Sequence, residues 1–147
     1  FGKPVRVPGA GDVQSPQVLA VTPRGTVLDA WASYKPNKKT LWGAFIYRLG
    51  RSTNGGRSFK TTTVTDGGIQ QVSRPNLVVG LSGRVWADWL DGRPIDRKST
   101  DPLYTVNLAV SRDDGQSFSS DWVVKGNACN CWSPSICTRF SSRRRKR

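Results

Sequence analysis

The chain has 147 residues, enough for one ordinary domain, and sets 23 Lys and Arg against 10 acidic residues for a net charge of +13. It contains no His, no Glu and no Met, so it offers no imidazole for acid–base or metal chemistry and cannot assemble a Ser-His-Asp triad. No apolar run approaches the roughly 20 residues of a membrane-spanning helix.

Short apolar runs separated by Gly-bearing turns predict strands throughout, and no stretch has helical periodicity. Residues 17–21 form a first apolar run, and Pro23-Arg24-Gly25 makes a turn into the alternating run 26–32. Residues 43–51 predict a third strand, and the Thr-rich stretch 58–65 a fourth. The same order returns at 75–79, 84–90, 103–111 and 117–124. Gly-bearing turns after the first and third strands of each set make consecutive strands antiparallel.

The recurrence is a repeat in sequence. Residues 15–31 align without a gap on residues 73–89 at an offset of 58, pairing Ser15 with Ser73, Leu19 with Leu77, Val21 with Val79, Gly25 with Gly83, Val27 with Val85 and Trp31 with Trp89. Residues 52–59 align on 111–118 at an offset of 59, the extra residue falling in the loop between the blocks. Phe1 stands at the distance from Ser15 that Phe59 keeps from Ser73, and Ser133-Pro134-Ser135-Ile136 resembles Ser15-Pro16-Gln17-Val18. The chain is therefore expected to open at the end of one unit, cover two units and enter a further one.

The octapeptides Ser52-x-Asn54-x-Gly56-x-x-Phe59 and Ser111-x-Asp113-x-Gly115-x-x-Phe118 have the chemistry of a tight turn. A short side-chain acceptor, Asn54 or Asp113, reaches backbone N–H groups just ahead of it. Gly56 and Gly115 supply positive φ, Ser52 and Ser111 tie the incoming strand, and Phe59 and Phe118 fold back over the hairpin. The competing role for Asp113 and Asp114, a calcium loop, needs more oxygen ligands and the terminal Glu of an EF-hand, which this chain lacks.

These octapeptides resemble the Asp box, or BNR repeat, of sialidase-like β-propellers, and the resemblance extends over residues 1–136. It implies an all-β fold: part of a propeller, with four-stranded antiparallel blades at about 15–66 and 73–125 within residues 1–137, and a basic tail at 138–147. It further implies a glycoside hydrolase of the neuraminidase superfamily or a non-catalytic binding or assembly module, working on a glycan or acidic sugar without a cofactor. An extracellular, periplasmic or cell-surface setting follows from the same resemblance. Two blades leave faces and edge strands open, so the remaining blades of a parent chain are the expected partners.

In such propellers the cleft lies at the end opposite the Asp boxes, which here collects residues 8–16, 33–42, 66–75, 90–102 and 126–134. Catalysis in the family uses three Arg on the sugar carboxylate, an Asp acid/base and a Tyr activated by Glu. With no Glu in the chain, that last pair is absent from it or lies elsewhere, and Arg6-Val7-Pro8 is a poor echo of the family's Arg-Ile-Pro. Arg74 opens an inner strand where the first unit has Pro16, and Trp89-x-Asp91-x-Arg93 places an Asp and an Arg at the same end. Arg74, Asp91 and Arg93 are the substrate-binding candidates, since an Arg fork grips a carboxylate through two bonds. Against that, Arg74 has the reading of a surface Arg, and Asp91 and Arg93 that of a pair bracing a loop. Asp88, in an alternating strand, is a weaker candidate. Trp31, Trp86 and Trp89 are expected between blades, while Trp42 and Trp132 have the chemistry of sugar-stacking platforms.

Cys129, Cys131 and Cys137 are odd in number and leave pairing open; without His they make a poor zinc set. Residues 139–147 hold six of the 23 basic residues. The repeat stops after about Ile136, and Arg143 falls where the turn Gly should be. The tail is then either the product of a reading-frame change or a polybasic extension suited to nucleic acid or acidic polymers.

Overall fold

In the computed structural model the described residues are 3–9, 17–36, 44–65, 72–91, 104–120 and 122–128. They form eight strands: β1 (Val18–Val21), β2 (Val27–Lys35), β3 (Ala44–Ser52), β4 (Lys60–Thr63), β5 (Val72–Val79), β6 (Val85–Asp91), β7 (Tyr104–Ser111) and β8 (Trp122–Ala128). They build two four-stranded sheets, ordered β1-β2-β3-β4 and β5-β6-β7-β8, with every neighbouring pair antiparallel. The architecture is all-β, and no helix occurs among the described residues.

The period of two in a strand sends alternate side chains to opposite faces. From the first sheet Leu28, Ala30, Ala32, Tyr47 and Leu49 enter the core, and from the second Leu77, Val85, Ala87, Trp89 and Ala109. The two sheets therefore pack face to face over one shared core. Tyr47 and Trp89 meet edge to face across it, with ring centroids 5.5 Å apart at 85°, a geometry worth about 1 kcal/mol beyond the area buried. The Tyr47 hydroxyl donates to the Asn76 carbonyl at 2.8 Å, fixing β5 against the first sheet. Burial pushes its pKa far above the ordinary phenol range, and the Asp88 charge adds to this.

Repeat-equivalent residues stand on opposite sides of this junction. Leu28 points into the core, whereas Trp86, its partner at offset 58, lies on the outer face of the second sheet. Trp89 points into the core, whereas Trp31 is buried on the outer face of the first sheet. There Gly50 leaves room for a close approach: a Cβ at this position would stand 2.7 Å from Val7 Cγ1, 3.4 Å from Trp31 and 3.5 Å from Phe59. Residues 3–9 cross this face, and the Pro8 carbonyl accepts from the Thr61 hydroxyl at 2.7 Å.

The eight strands match the expected order, with two displacements. The strand expected at 117–124 runs instead from Trp122 to Ala128. Ser119 still exchanges bonds with Val110, its N–H with the carbonyl at 2.9 Å and its hydroxyl with the amide at 3.1 Å, but the ladder then shifts register. The strand expected at 75–79 begins at Val72 and carries a bulge between Ser73 and Asn76. Pro75 has no N–H to give the ladder, so Arg74 and Pro75 together oppose the single residue Trp89. Trp86, expected between units, is only half-buried.

Candidate functional site

Both octapeptides sit in the hairpin that closes the third strand onto the fourth. In the first, the Ser52 hydroxyl accepts from the Gly56 N–H at 2.9 Å and donates to Asn54 Oδ1 at 2.9 Å. Asn54 Oδ1 also accepts from the Ser58 N–H at 3.0 Å, and Asn54 Nδ2 donates to the Ser58 hydroxyl at 2.8 Å. In the second, Ser111 accepts from the Gly115 N–H at 2.8 Å and donates to Asp113 Oδ1 at 2.7 Å. Asp113 Oδ1 accepts from the Gln116 and Ser117 N–H groups at 3.1 and 2.9 Å. Gly56 and Gly115 have φ of +82° and +81°, a region where a side chain meets the backbone and only glycine sits freely. Burial alone would raise the Asp113 pKa. The bonds from Ser117, Ser111 and the turn backbone outweigh it and hold the carboxyl below its ordinary range.

The two hairpins differ in what lies beyond them. Phe118 packs on the shared core, while Phe59 flanks Gly50 on the outer face of the first sheet. A Cβ on Gly115 would stand 2.9 Å from Leu28 Cδ2 and 3.4 Å from Leu49 Cδ2, whereas one on Gly56 would meet nothing within 4 Å. The second octapeptide is thus seated on the first sheet.

Its central residue, Asp114, forms the polar part of that seat. Asp114 is a non-glycine residue at φ +62° and is 4% exposed. Its carboxylate accepts from the Thr26 hydroxyl and from Arg51 Nη2 at 3.4 Å, and its carbonyl accepts from Arg51 Nε at 2.9 Å. Burial would raise its pKa, but the hydroxyls of Thr26 and Thr22 and the charges of Arg51 and Arg24 prevail and lower it. Thr22, Arg24 and Thr26 belong to the β1–β2 turn, so the octapeptide of one sheet bridges to the first turn of the other. The equivalent residue in the first octapeptide is Gly55, also at positive φ, +68°.

Of the positions singled out for binding, the Arg74 backbone and Asp91 stand at the opposite end of the sheets. Arg74 is in the β5 bulge, at the rim the sequence indicated; its side chain lies outside the described residues. Arg93, Trp42, Trp132, the three Cys and the tail 138–147 also lie outside them. Asp91 ends β6, is 1% exposed and accepts from Asn107 Nδ2 at 3.3 Å. The equivalent pair in the first sheet is Ser33 and Arg48, joined by an Arg48 Nε to Ser33 Oγ bond of 3.0 Å. Asp91 therefore fills a cross-strand bracing position that the repeat uses in both sheets. Asp88 accepts from Asn76 Nδ2 at 3.1 Å on the outer face of the second sheet. Among the described residues no three His, Cys, Asp or Glu side chains gather to hold a metal ion, and no helix is long and apolar enough to cross a membrane.

Asp114, Thr26 and Arg51 carry the polar part of the inter-sheet contact, yet the sequence marks Asp114 only as a rival calcium ligand and the other two not at all. The only trace of that contact is negative: aligning the units sets Asp114 against Gly55, Arg84 against Thr26 and Val110 against Arg51.

No protein-family model matches the chain, and no curated protein matches it. Among solved structures it is similar to a protein of unknown function from Dyadobacter fermentans DSM 18053, at 15% identity and a TM-score of 0.60. The likeness covers 83% of this chain and 34% of the other, so this chain spans about a third of that protein's length, and what the two share is the all-β fold.

Proposed function

We propose that this chain is a two-blade section of a sialidase-like Asp-box β-propeller of glycoside-hydrolase type, with a catalytic centre that is incomplete within the section. One observation carries the reading. The octapeptide that closes the second sheet's hairpin also seats on the first sheet, through Asp114, Gly115 and Phe118. Successive sheets are thereby stacked face to face with their octapeptides toward one end, the relation that a ring of blades requires. The reading assigns the carboxylate of an acidic sugar to Arg74, whose backbone lies in the β5 bulge, and to Arg93. With no Glu to activate a Tyr, the chain by itself has no nucleophile of the sialidase kind.

The test combines turnover and binding. A fluorogenic sialoside is not cleaved by the chain, whereas sialyllactose binds in preference to lactose and Arg74→Ala or Arg93→Ala abolishes the preference. Cleavage by the 147-residue chain, or equal binding of the two sugars, defeats the reading.

The burial of Asp91 and its bond to Asn107 favour a second reading, a non-catalytic propeller module serving as a binding or assembly surface. Under it the sialoside is likewise not cleaved, and Arg74→Ala and Arg93→Ala leave any preference for sialyllactose over lactose unchanged.

A further inference from the structure

The four turns at the octapeptide end make one surface around Asp114. The second octapeptide reaches Thr26 of the β1–β2 turn and Arg51 at the end of β3. A Cβ on Gly83, in the β5–β6 turn, would stand 3.8 Å from Asp114 Oδ1. Each of the four turns carries an exposed Arg: Arg24, Arg57, Arg84 and Arg112. The repeat sets these against Ser82, Gln116, Thr26 and Thr53, so the turn geometry does not require an Arg at any of them. None of the four forms an ion pair among the described residues. The carboxylates beside them are occupied, Asp114 by Thr26 and Arg51, and Asp113 by Ser111, Gln116 and Ser117. Arg84 lies over the Trp86 ring, 5.9 Å from its centroid, which holds the guanidinium while leaving its N–H groups to a ligand.

Apolar residues stand at the tips of two of these turns. The Gly25 N–H donates to the Thr22 carbonyl and the Gly83 N–H to the Gly80 carbonyl, both at 2.9 Å, which sets Pro23 and Leu81 at the turn apices. The two are equivalent at offset 58. Pro23 is exposed, and Leu81 is 98% exposed, the most of any large hydrophobic side chain among the described residues. A single exposed Leu is ordinary on a protein surface. This one projects from the tip of a turn within a group of Arg, which gives it a use.

We propose that the octapeptide end docks on a membrane surface bearing anionic lipids, with Leu81 and Pro23 entering the headgroup layer and the four Arg holding lipid phosphates and carboxylates. An Arg fork takes a phosphate or carboxylate through two bonds. Apolar tips among basic residues are the chemistry of an interfacial anchor, in which burial and charge attraction add. A linear polyanion would satisfy the charges but leave Leu81 in water. The surface lies across the ends of the stacked sheets and not on their faces, so further units beside either sheet widen it and do not cover it. The proposal does not rest on the sialidase-like reading. Docking this way turns Asp91 and the Arg74 backbone, at the opposite end, away from the membrane.

Cosedimentation of the whole chain with phosphatidylcholine vesicles, with and without about 30% phosphatidylserine, tests this. The chain partitions onto the anionic vesicles and not onto pure phosphatidylcholine, and salt weakens the binding. Arg84→Gln and Arg112→Gln each weaken it about fivefold. Arg74→Gln, an equal change of charge at the opposite end, leaves it unchanged. Leu81→Ser weakens it at least about fivefold without altering its salt dependence, and Leu81→Trp binds as tightly as the parent or more so. The three turn positions are exposed, so urea midpoints of these variants match the parent's. Absence of binding to anionic vesicles overturns the proposal. So do turn variants that bind as the parent does, the result if the basic tail 138–147 supplies the attraction, or an Arg74→Gln loss equal to that of Arg84→Gln. If Leu81→Ser has no effect while the Arg variants weaken binding to vesicles and to heparin alike, the end is a site for soluble polyanions and the membrane assignment fails.

Discussion

Replacing Asp114 separates the three things this residue does at once: it carries charge, accepts hydrogen bonds and occupies a left-handed backbone position. Its carboxylate takes the Thr26 hydroxyl and Arg51 Nη2 at 3.4 Å, and its side chain is 5% exposed against 23% for Arg51. Asp114→Ala removes both carboxylate bonds, at about 1.5 kcal/mol each for bonds to a charged group, and leaves an alanine at φ +62°, which adds about 1 kcal/mol. The sum is a loss of about 4 kcal/mol. Asp114→Gly removes the same bonds but frees the backbone, so its loss is about 3 kcal/mol. Asp114→Asn keeps an acceptor for Thr26 and tolerates positive φ, and with Arg51 partly exposed the lost charge costs about 1 kcal/mol. Urea denaturation at neutral pH reads these as shifts in midpoint at constant slope. Because the folded-state pKa of Asp114 is lowered, its contribution is present above the unfolded pKa and disappears as pH falls through the folded one. The gap between the parent and Asp114→Asn therefore narrows in acid and closes at the lowest pH. Equal losses for Ala and Gly, or a gap that persists in acid, refute this division of roles among charge, bonds and backbone.

Gly56→Ala and Gly115→Ala share the same backbone strain, about 1 kcal/mol. Only Gly115→Ala also drives a Cβ to 2.9 Å from Leu28, so it loses a further 1–3 kcal/mol or so in the same titration; equal losses contradict the seating of the second hairpin on the first sheet. Asp29 is 4% exposed, its Oδ1 has no partner among the described residues, and its Oδ2 takes only a 3.4 Å bond from Gln17. Burial raises its pKa, so its ionised form opposes folding and the penalty grows as pH rises through the unfolded and then the folded pKa. Asp29→Ala, the residue the second sheet uses at position 87, then raises stability at neutral pH by about 1 kcal/mol, with the gain shrinking in acid; a loss of stability at pH 7 contradicts this. Tyr47→Phe removes one hydroxyl bond to the Asn76 carbonyl and costs about 1 kcal/mol, measured by thermal melting, with the ring packing on Trp89 retained.

The parts of the fold that the sequence expressed were those governed by local chemistry. Gly25, Gly56, Gly83 and Gly115 sit at positive φ in turns, and each is flanked by strands whose alternation could be read directly. The run of β8 as far as Ala128 was not legible, because the register shifts twice between Tyr104 and Asn107, opposite Val123–Ala128, and a bulge has no period to read. The early start of β5 was hidden for a related reason: Pro75 argues against a ladder at its own position but says nothing about pairing three residues upstream. Of the three binding candidates, Asp91 is legible in sequence as a brace beside Arg93, but not as the partner of Asn107, because its counterpart Ser33 shares neither charge nor size with it; the bonds that Asn107 and Arg48 donate reveal the common cross-strand job.

The most informative positions are those where the repeat fails to repeat. A residue kept in both units, such as the Ser or Gly of the octapeptide, serves the hairpin that every unit must close, so it says little about neighbours. A junction, in contrast, joins the inward face of one unit to the opposite face of the next, and its chemistry is divided between residues that are never equivalent to one another. Asp114 needs Thr26 and Arg51, yet the repeat pairs these with Gly55, Arg84 and Val110. Each substitution alone resembles drift; taken together they confine the polar seat to the internal junction, since the equivalent positions Gly55, Arg84 and Val110 do not reproduce it. The differences between units thus encode which sheet seats on which, and the internal junction is held in its order by a carboxylate that only one of the two hairpins possesses.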